Sequence, residues 1–156
     1  MNRHFTVSVY VVNNSRVLLH RHKKAQILLP VGGHIKPNEL PEEAARREAL
    51  EEAGITIELC DIDSLKQHNV DTEREKVLIN PVHTVWGEIE AGHEHIDFVF
   101  YAKSVTDELK PEENESDVLR WYSEEELTQI KDFLLKDVYY MAKEAIQVYR
   151  GENKDA

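Results

Sequence analysis

The sequence of 156 residues predicts an α/β domain. Runs rich in β-branched and aromatic residues, such as residues 5–12 (FTVSVYVV), are typical of strands. Two other segments, residues 41–53 and 133–150, have features of helices, among them apolar residues at helical spacing in the second. The chain is long enough for one substantial core and has no internal repeat or linker-like tract. We therefore expect a single domain over residues 1–156.

Composition and charge exclude several classes of function. The net charge of −11 at pH 7 argues against nonspecific binding to nucleic acid polymers or to an anionic membrane. Cys60 is the only cysteine, so neither an intrachain disulfide nor a cysteine-cluster metal site can form. The N-terminus lacks a signal-peptide pattern, and no apolar run approaches the length of a membrane span. These features predict a cytoplasmic protein.

The first elements are predicted to form a hairpin. Residues 5–12 and 16–20 (RVLLH) read as strands on either side of the turn signal Asn13-Asn14-Ser15. A basic run follows, in which Arg21 is the best candidate for steering a phosphate or a substrate; a solvated loop is the alternative. Residues 27–31 (ILLPV) then lead into a glycine pair.

A helix is predicted from Pro41 to the residue before Gly54. Pro41 suits the first helical turn, where its missing N–H costs nothing, and Gly54 suits the C-cap. Leu40 stands where a Ser or Thr usually caps a helix, so the helix start is poorly capped. A stripe of small residues at i, i+4 and i+8 would let the helix lie close to a sheet: Ala45, Ala49 and Ala53.

Three carboxylates share one patch of this helix. Glu48, Glu51 and Glu52 lie at i, i+3 and i+4, within about 100° of arc. Like charges at this spacing destabilise a bare helix by roughly 0.2–0.5 kcal/mol per pair, so the patch calls for a neutralising partner. Hard oxygen ligands suit Mg²⁺ or Mn²⁺, particularly when phosphate oxygens complete the coordination shell.

The whole stretch of residues 33–55 has a recognisable spacing. The pattern G-x5-E-x7-R-E-U-x-E-E-x-G-U, with U aliphatic, is filled at every fixed position by Gly33, Glu39, Arg47, Glu48, Ala49, Glu51, Glu52, Gly54 and Ile55. It resembles the signature of the Nudix hydrolases. An ordinary acidic surface helix is the alternative interpretation.

The resemblance implies a fold and a chemistry. The fold would be an α/β/α sandwich with a central mixed sheet, in which residues 33–55 form a loop, a helix and a second loop. The reaction would be hydrolysis of a diphosphate linkage in a nucleoside diphosphate derivative by a metal-activated water. Mg²⁺ or Mn²⁺ would be held by the carbonyl group of Gly32 and by Glu48, Glu51 and Glu52. The partner would be a small phosphorylated molecule, a nucleotide in most of the family.

The resemblance also assigns roles outside the acidic patch. Glu39 would pair with Arg47 and brace the loop before the helix. In several relatives an acidic residue shortly before a tryptophan serves as an additional metal ligand or as the general base, and Glu115, six positions before Trp121, fits best. The proton acceptor would be Glu115 or one of the helix glutamates, such as Glu51 or Glu52, and the choice stays open.

The second half of the chain predicts further strands and two helices. Strands are expected near residues 55–59, 65–70, 81–88, 95–104 and 118–122. Ser123 with Glu126 is a capping-box signal for a helix start. The apolar face of residues 133–150 indicates packing or a homodimer contact.

One predicted strand carries a polar face. His93, His95 and Asp97 alternate with an apolar face formed by Ile96 and Phe98 and the residues that continue it. Imidazoles and a carboxylate at this spacing can bind metal or substrate, or act in acid–base chemistry. A branch of the Nudix family with the sequence GGHI after the strand also carries H-x-H-x-D, so the three are candidate substrate-binding residues. The alternative is a polar strand face bonded to loops.

Two other classes of function remain open. One is a Nudix-fold nucleotide sensor without turnover, which would have no need of all three glutamates. The other is an enzyme similar to the isoprenoid-diphosphate isomerases, relatives that use histidines with glutamates for metal. Those enzymes also need a catalytic cysteine, and Cys60 lies outside any recognisable motif.

Overall fold

A computed structural model describes residues 2–23, 26–62, 71–113 and 118–154, with side chains up to residue 151. It contains eight strands, three α-helices and one 3-10 helix within those ranges. The strands are β1 Asn2–Asn13, β2 Arg16–Arg21, β3 Leu28–Leu29, β4 Val31–His34, β5 Ile57–Leu59, β6 His83–Glu90, β7 His93–Ser104 and β8 Leu119–Ser123. The helices are α1 Pro41–Ala53, α2 Glu124–Gln129, the 3-10 helix Lys131–Phe133 and α3 Lys136–Lys154.

All eight strands form one mixed sheet around β1. One edge of β1 pairs in parallel with β7 along almost its whole length, from Asn2 opposite His93 to Val12 opposite Lys103. Its other edge is shared by β2 at the hairpin and by β4, both antiparallel. The outer edge of β7 is shared by β6 and β5, while β8 and β3 pair with β2. The central position of β1 therefore brings β4 and the start of β7 to its two sides.

The two faces of the sheet are covered by different helices. Helix α1 packs its small residues against one face, in a core with Val7, Val9, Leu18 and Phe100. Helix α3 packs on the other face, in a core with alternating residues of the same strands. The predicted α/β/α sandwich with a central mixed sheet is confirmed. The alanine stripe, Ala45, Ala49 and Ala53, is fully buried, as the sequence predicted.

Two segments of the chain differ in detail from the sequence analysis. The run of residues 27–31 is divided at Pro30 into β3 and β4, because proline cannot donate a ladder hydrogen bond. The last helix begins at Lys136 rather than at residue 133, since Leu134 is extended. Phe133 is 82% exposed and does not belong to the apolar face of α3. The strand predicted at residues 65–70 lies outside the described residues.

Hydrogen bonds and backbone geometry at Leu40 and Gly54 explain where α1 begins and ends. The Leu40 N–H donates to Glu43 Oε1 at 3.0 Å, so the side chain of the third helical residue makes up for the missing cap. Gly54 ends the helix in the left-handed conformation, with φ of 68°. The following loop returns to this end, where the Lys110 N–H donates to the Ala53 carbonyl group at 2.8 Å.

None of the helices in the described ranges has the length and apolar character that crossing a bilayer requires.

Gly54 and Gly92 allow a matched test of the C-terminal end of α1. Both have positive φ, at 68° and 80°, but a Cβ on Gly54 would lie 2.0 Å from the Lys110 carbonyl oxygen, while one on Gly92 would meet nothing within 4 Å. We expect Gly92→Ala to lower the free energy of unfolding by about 1 kcal/mol through backbone strain alone. Gly54→Ala should cost about 1–3 kcal/mol more, because the loop must shift. Urea unfolding of both variants measures the difference, and equal losses would contradict the contact.

Candidate active site

The three glutamates of α1 lie at the junction of the helix with β4. Burial of the alanine stripe turns this side of α1 toward the sheet, so the acidic patch meets the glycine pair of β4. Glu52 is 6% exposed, Glu48 is half-buried, and Glu51 is the most accessible of the three. The structure thus brings together the helix carboxylates and the strand backbone that the sequence predicted as metal ligands.

Glu52 is held from two sides. The Gly32 N–H donates to its Oε1 at 2.9 Å, and His20 Nε2 of β2 lies 3.4 Å from its Oε2. Burial, followed by the nearby His22, lowers the pKa of His20, so the imidazole is neutral at pH 7. Sequence analysis missed His20. Its alternation with Leu18 along β2, which puts both side chains on the α1 face, is the signal that could have found it.

Glu48 packs directly against Gly33. A Cβ on that glycine would lie 2.5 Å from Glu48 Oε1, so only glycine leaves room for the carboxylate. Burial raises the pKa of Glu48, and its carboxyl group is also in hydrogen-bond contact with that of Glu52. Two carboxylates in such contact repel each other unless a proton or a cation lies between them.

Arg47 uses all five of its N–H groups. Nε and one Nη2 N–H donate to the two oxygens of Glu39 at 2.7 and 3.0 Å, so the ion pair expected from the sequence is present. The second Nη2 N–H donates to the His34 carbonyl group at 3.0 Å. The two N–H groups of Nη1 donate to Glu48 at 2.9 Å and to Glu51 at 3.1 Å. Arg47 therefore joins the loop, the end of β4 and two of the three glutamates.

The donor set suits a hard divalent cation. Three carboxylates converge on one patch, and the contact between Glu48 and Glu52 leaves negative charge that Arg47 only partly offsets. Oxygen ligands of this kind, with room for water or phosphate oxygens, are those of Mg²⁺ or Mn²⁺. The residues present therefore fit the group that the sequence predicted.

Of the other predicted residues, Arg21 is not brought to this patch. Arg21 follows His20 on β2 and alternates to the α3 face of the sheet, away from the glutamates. This placement does not support the phosphate contact expected for it. Glu115 lies outside the described residues. The chain before it is anchored at α1, where the Glu112 N–H donates to the Glu51 carbonyl group at 2.9 Å.

The polar face of β7 lies on the opposite side of the sheet from the glutamates. His93, His95 and Asp97 alternate with residues of the α1 core and share the face of Val99, which packs in the α3 core. The predicted separation of the two strand faces is confirmed. The sheet itself therefore stands between these three residues and the glutamates, and substrate binding by His93, His95 and Asp97 stays a prediction.

Asp97 already has partners on this second face. Its two oxygens accept hydrogen bonds from Thr6 Oγ1 at 2.8 Å and from Ser8 Oγ at 2.7 Å. Burial, followed by the imidazoles of His34 and His93, lowers the pKa of His95. The carboxylate therefore fastens β7 to β1, while the histidines form a separate group.

An aromatic surface extends from the glutamates along the α1 face of the sheet. Phe5 and Trp86 are 55% and 59% exposed, and both stand opposite Ile96 in the register. The Phe5 ring stacks on Phe98 with 6.0 Å between centroids and 19° between planes. Strand spacing puts Phe5 about 8 Å from Gly33 and Trp86 about 16 Å from it. We call Phe5, Trp86, Ile96 and Phe98 the aromatic platform; sequence analysis did not single it out.

Buried charge fixes one end of this platform. Glu94 is buried and accepts hydrogen bonds from the Trp86 indole N–H and from the Arg3 guanidinium, whose Nη2 lies 2.9 Å away. The Trp86 hydrogen bond, followed by the Arg3 hydrogen bond, lowers the pKa of Glu94. These bonds hold the exposed indole in one orientation.

Comparisons with known proteins concern the family and the fold of the chain. The profile of the NUDIX domain matches residues 2–143. A hydrolase of the NUDIX family from Clostridium perfringens is 49% identical, with a TM-score of 0.86, and the match covers 96% of this chain and 99% of that one. No curated protein matches the chain.

More distant structures share the fold. The MutT protein from Methanosarcina mazei Go1 is 22% identical with a TM-score of 0.65, over 98% of this chain and 96% of that one. An Ap4A hydrolase from C. elegans is 18% identical with a TM-score of 0.62, over the full length of both. At this level of identity the likeness concerns the fold alone.

Arg47 and its neighbour Arg46 provide a matched test of the brace. We expect Arg47→Ala to lower the free energy of unfolding by about 3 kcal/mol, because it leaves half-buried carboxylates without their partner. Arg46→Ala should cost less than about 0.5 kcal/mol, since this exposed residue pairs only with Glu42 at 3.5 Å. Urea unfolding gives both values, and a loss for Arg47→Ala no larger than that of Arg46→Ala would mean that the brace is not structural.

Proposed function

The chain belongs to the NUDIX family of hydrolases and is a Nudix pyrophosphohydrolase, and on this premise we propose that it cleaves a diphosphate linkage in a nucleoside diphosphate derivative with Mg²⁺ or Mn²⁺. Nudix enzymes generally use divalent metals. The observation that carries the proposal is geometric: Glu48 packs against Gly33 and Glu52 accepts the Gly32 N–H bond, so carboxylate oxygens that can bind a cation converge at the glycine pair.

The residues of the patch have different proposed roles. Glu48, Glu51, Glu52 and the Gly32 carbonyl group are the proposed metal ligands, and Arg47 holds Glu48 and Glu51 in position. When bound, the cation lowers the pKa of water and offsets charge on the phosphate oxygens. The chain's own part is to fix the carboxylates on a rigid helix so that no reorganisation is needed during the reaction.

The contacts of the glutamates narrow the choice of the general base. Glu52 has both oxygens in contact with Gly32 N–H and His20, which suits a fixed ligand better than a proton acceptor. Glu51 is the most accessible of the three, and the contact with Arg47 at 3.1 Å is made by its Oε2. We therefore favour Glu51 or Glu115 for accepting the proton of the attacking water.

The aromatic platform supports a nucleoside as the organic part of the substrate. It lies on the same sheet face as the glutamates. Glu94 positions its exposed Trp86 indole, and the exposed Phe5 ring stacks on Phe98. A nucleobase stacked on an aromatic side chain gains about 1–3 kcal/mol. The diphosphate of such a ligand would extend from the platform toward Gly33 and the acidic patch.

The substrate within this class is best found by a screen. One structure of this fold is an Ap4A hydrolase and another is a MutT protein, so dinucleoside polyphosphates and nucleoside triphosphates come first. ADP-ribose and nucleotide sugars complete the set. Release of phosphate, pyrophosphate or nucleoside monophosphate identifies the bond cleaved. The single cysteine and the acidic surface favour action in the cytoplasm.

Two alternatives are less well supported. A nucleotide sensor without turnover would not require three helix glutamates, and turnover in the screen excludes it. An isoprenoid-diphosphate isomerase would need a cysteine at the site, whereas Cys60 is buried in the α3 core. Absence of reaction with isopentenyl diphosphate would confirm this distinction.

Glu52→Gln tests the acidic patch. Glutamine can still accept the Gly32 N–H bond but provides no charge, so we expect turnover to fall by about two orders of magnitude or more. The melting temperature should change little, because one of three crowded like charges is removed. The control is Glu42→Gln on the same helix, which should keep full activity. Near-wild-type turnover of Glu52→Gln at saturating Mg²⁺ would exclude the assignment.

Trp86→Ala tests the aromatic platform. Loss of a stacking partner should raise KM for a nucleotide substrate about tenfold or more and leave kcat nearly unchanged, because binding is lost equally in ground and transition states. Phe133→Ala removes an exposed aromatic ring outside the platform and should leave KM unchanged. An unaltered KM in Trp86→Ala would show that the base binds elsewhere.

A further inference from the structure

Four histidines from three strands meet on the sheet face opposite the glutamates. His4 of β1 and His95 of β7 are direct partners in the register, while His34 ends β4 and His93 begins β7. Their ring centroids are 5.0 Å apart for His4 and His93, 5.1 Å for His4 and His34, and 5.3 Å for His93 and His95. We call His4, His34, His93 and His95 the histidine cluster.

Two ring nitrogens of the cluster lack a hydrogen-bond partner within the described part of the chain. Nε2 of His93 and Nε2 of His95 are both shielded from solvent, yet neither is paired. An unpaired buried polar atom costs roughly 1–3 kcal/mol, so such atoms need an explanation. A bound cation that accepts their lone pairs would provide one.

The cluster has the donor geometry of a metal site. One ring nitrogen each of His4, His34 and His93 lies within 4.8 Å of the other two. A tetrahedral ion at 2.0–2.1 Å from each nitrogen needs separations of about 3.4 Å. Imidazole rings rotate in a broad energy well, and exposed His34 is free to approach the others. His95, with its ring centroid 5.5 Å from that of His34, can supply the fourth nitrogen.

We propose that the histidine cluster binds a transition-metal ion of the Zn²⁺ class, separate from the cation of the acidic patch. Neutral imidazole selects zinc, nickel, cobalt or copper, whereas carboxylates select magnesium and manganese, so the two faces of the sheet have different preferences. Nearby charge favours a cation as well, since Glu90 Oε1 lies 3.7 Å from His93 Nδ1.

The ion would fasten three strands at one end of the sheet. It would join the start of β1, the end of β4 and the start of β7, where Asn2 pairs with His93 and Thr6 with His34. The carbonyl group of His34 accepts a hydrogen bond from Arg47, so the clamp also fixes the strand end against which the helix glutamates are braced. The site is structural and does not depend on the proposed substrate.

The test is zinc binding to untagged protein, stripped with chelator and held in saturating Mg²⁺ so that the acidic patch is occupied. Titration calorimetry should show one equivalent of Zn²⁺ bound, and thermal unfolding should show a higher melting temperature with Zn²⁺. Co²⁺ in place of Zn²⁺ should give the visible absorption of a tetrahedral nitrogen site.

Variants assign the site to its residues. His34→Ala should bind Zn²⁺ at least tenfold more weakly and lose the thermal shift, while its stability without metal stays near wild type, because the side chain is exposed. His93→Ala should behave alike in binding. His22→Ala, a histidine beside basic residues outside the cluster, and Glu52→Gln should keep wild-type zinc binding. Failure of the wild type to bind Zn²⁺, or binding lost in Glu52→Gln but kept in His34→Ala, would overturn the proposal.

Discussion

The site depends on one side chain, the guanidinium group of Arg47. Its five N–H groups reach four partners that belong to the loop before α1, the end of β4 and α1 itself. A planar fork with fixed donor directions can hold such a set, whereas a lysine ammonium group could not. The hydrogen bond to Glu39, followed by that to Glu48, raises the pKa of Arg47 further, so its charge is permanent. Three crowded glutamates remain on one helix because this charge is fixed among them.

The two faces of the sheet carry different kinds of binding residues. Its α1 face carries carboxylates, glycine backbone and the aromatic platform, all suited to a phosphorylated ligand and a hard cation. Its α3 face carries the histidine cluster at one end and the packed core at the other. Strand β1 contributes to both faces, since Phe5 points to one and His4 to the other. Alternation along a strand, rather than distance in the sequence, therefore decides which residues cooperate.

Local features were predictable from the sequence because their causes are local. The bounds of α1 at Pro41 and Gly54 follow from proline geometry and from the positive φ that glycine allows. The contact of Arg47 with Glu39 follows from a motif that places these two residues eight positions apart. The alternation of His95 with Ile96 was also correct. Which face would meet the glutamates was not predictable, because it depends on the register of β1 with β7.

Other differences between the sequence analysis and the structure have the same origin. His20 and His4 gain their roles from partners far along the chain, and Trp86 joins Phe5 only because both strands pair with β7. No local pattern in the sequence records such pairing. Phe133 fits a helical apolar face by spacing, but the chain turns extended at Leu134 and leaves the ring in solvent. Periodicity gives the faces of an element, whereas the start of the element depends on backbone geometry that periodicity does not contain.

The parallel pairing of β1 with β7 has a consequence for how the protein is made. Asn2 pairs with His93 and every pair that follows keeps the same separation of 91 residues. The ribosome adds roughly 5–20 residues per second, so it needs about 5–20 s after releasing β1 to produce β7, the strand that pairs with it. During that time β1 has only its hairpin with β2 and its contact with β4. Strand β1 thus leaves the ribosome well before β7 and is among the last strands to complete its pairing, and folding of this domain is governed by contacts that are distant along the chain.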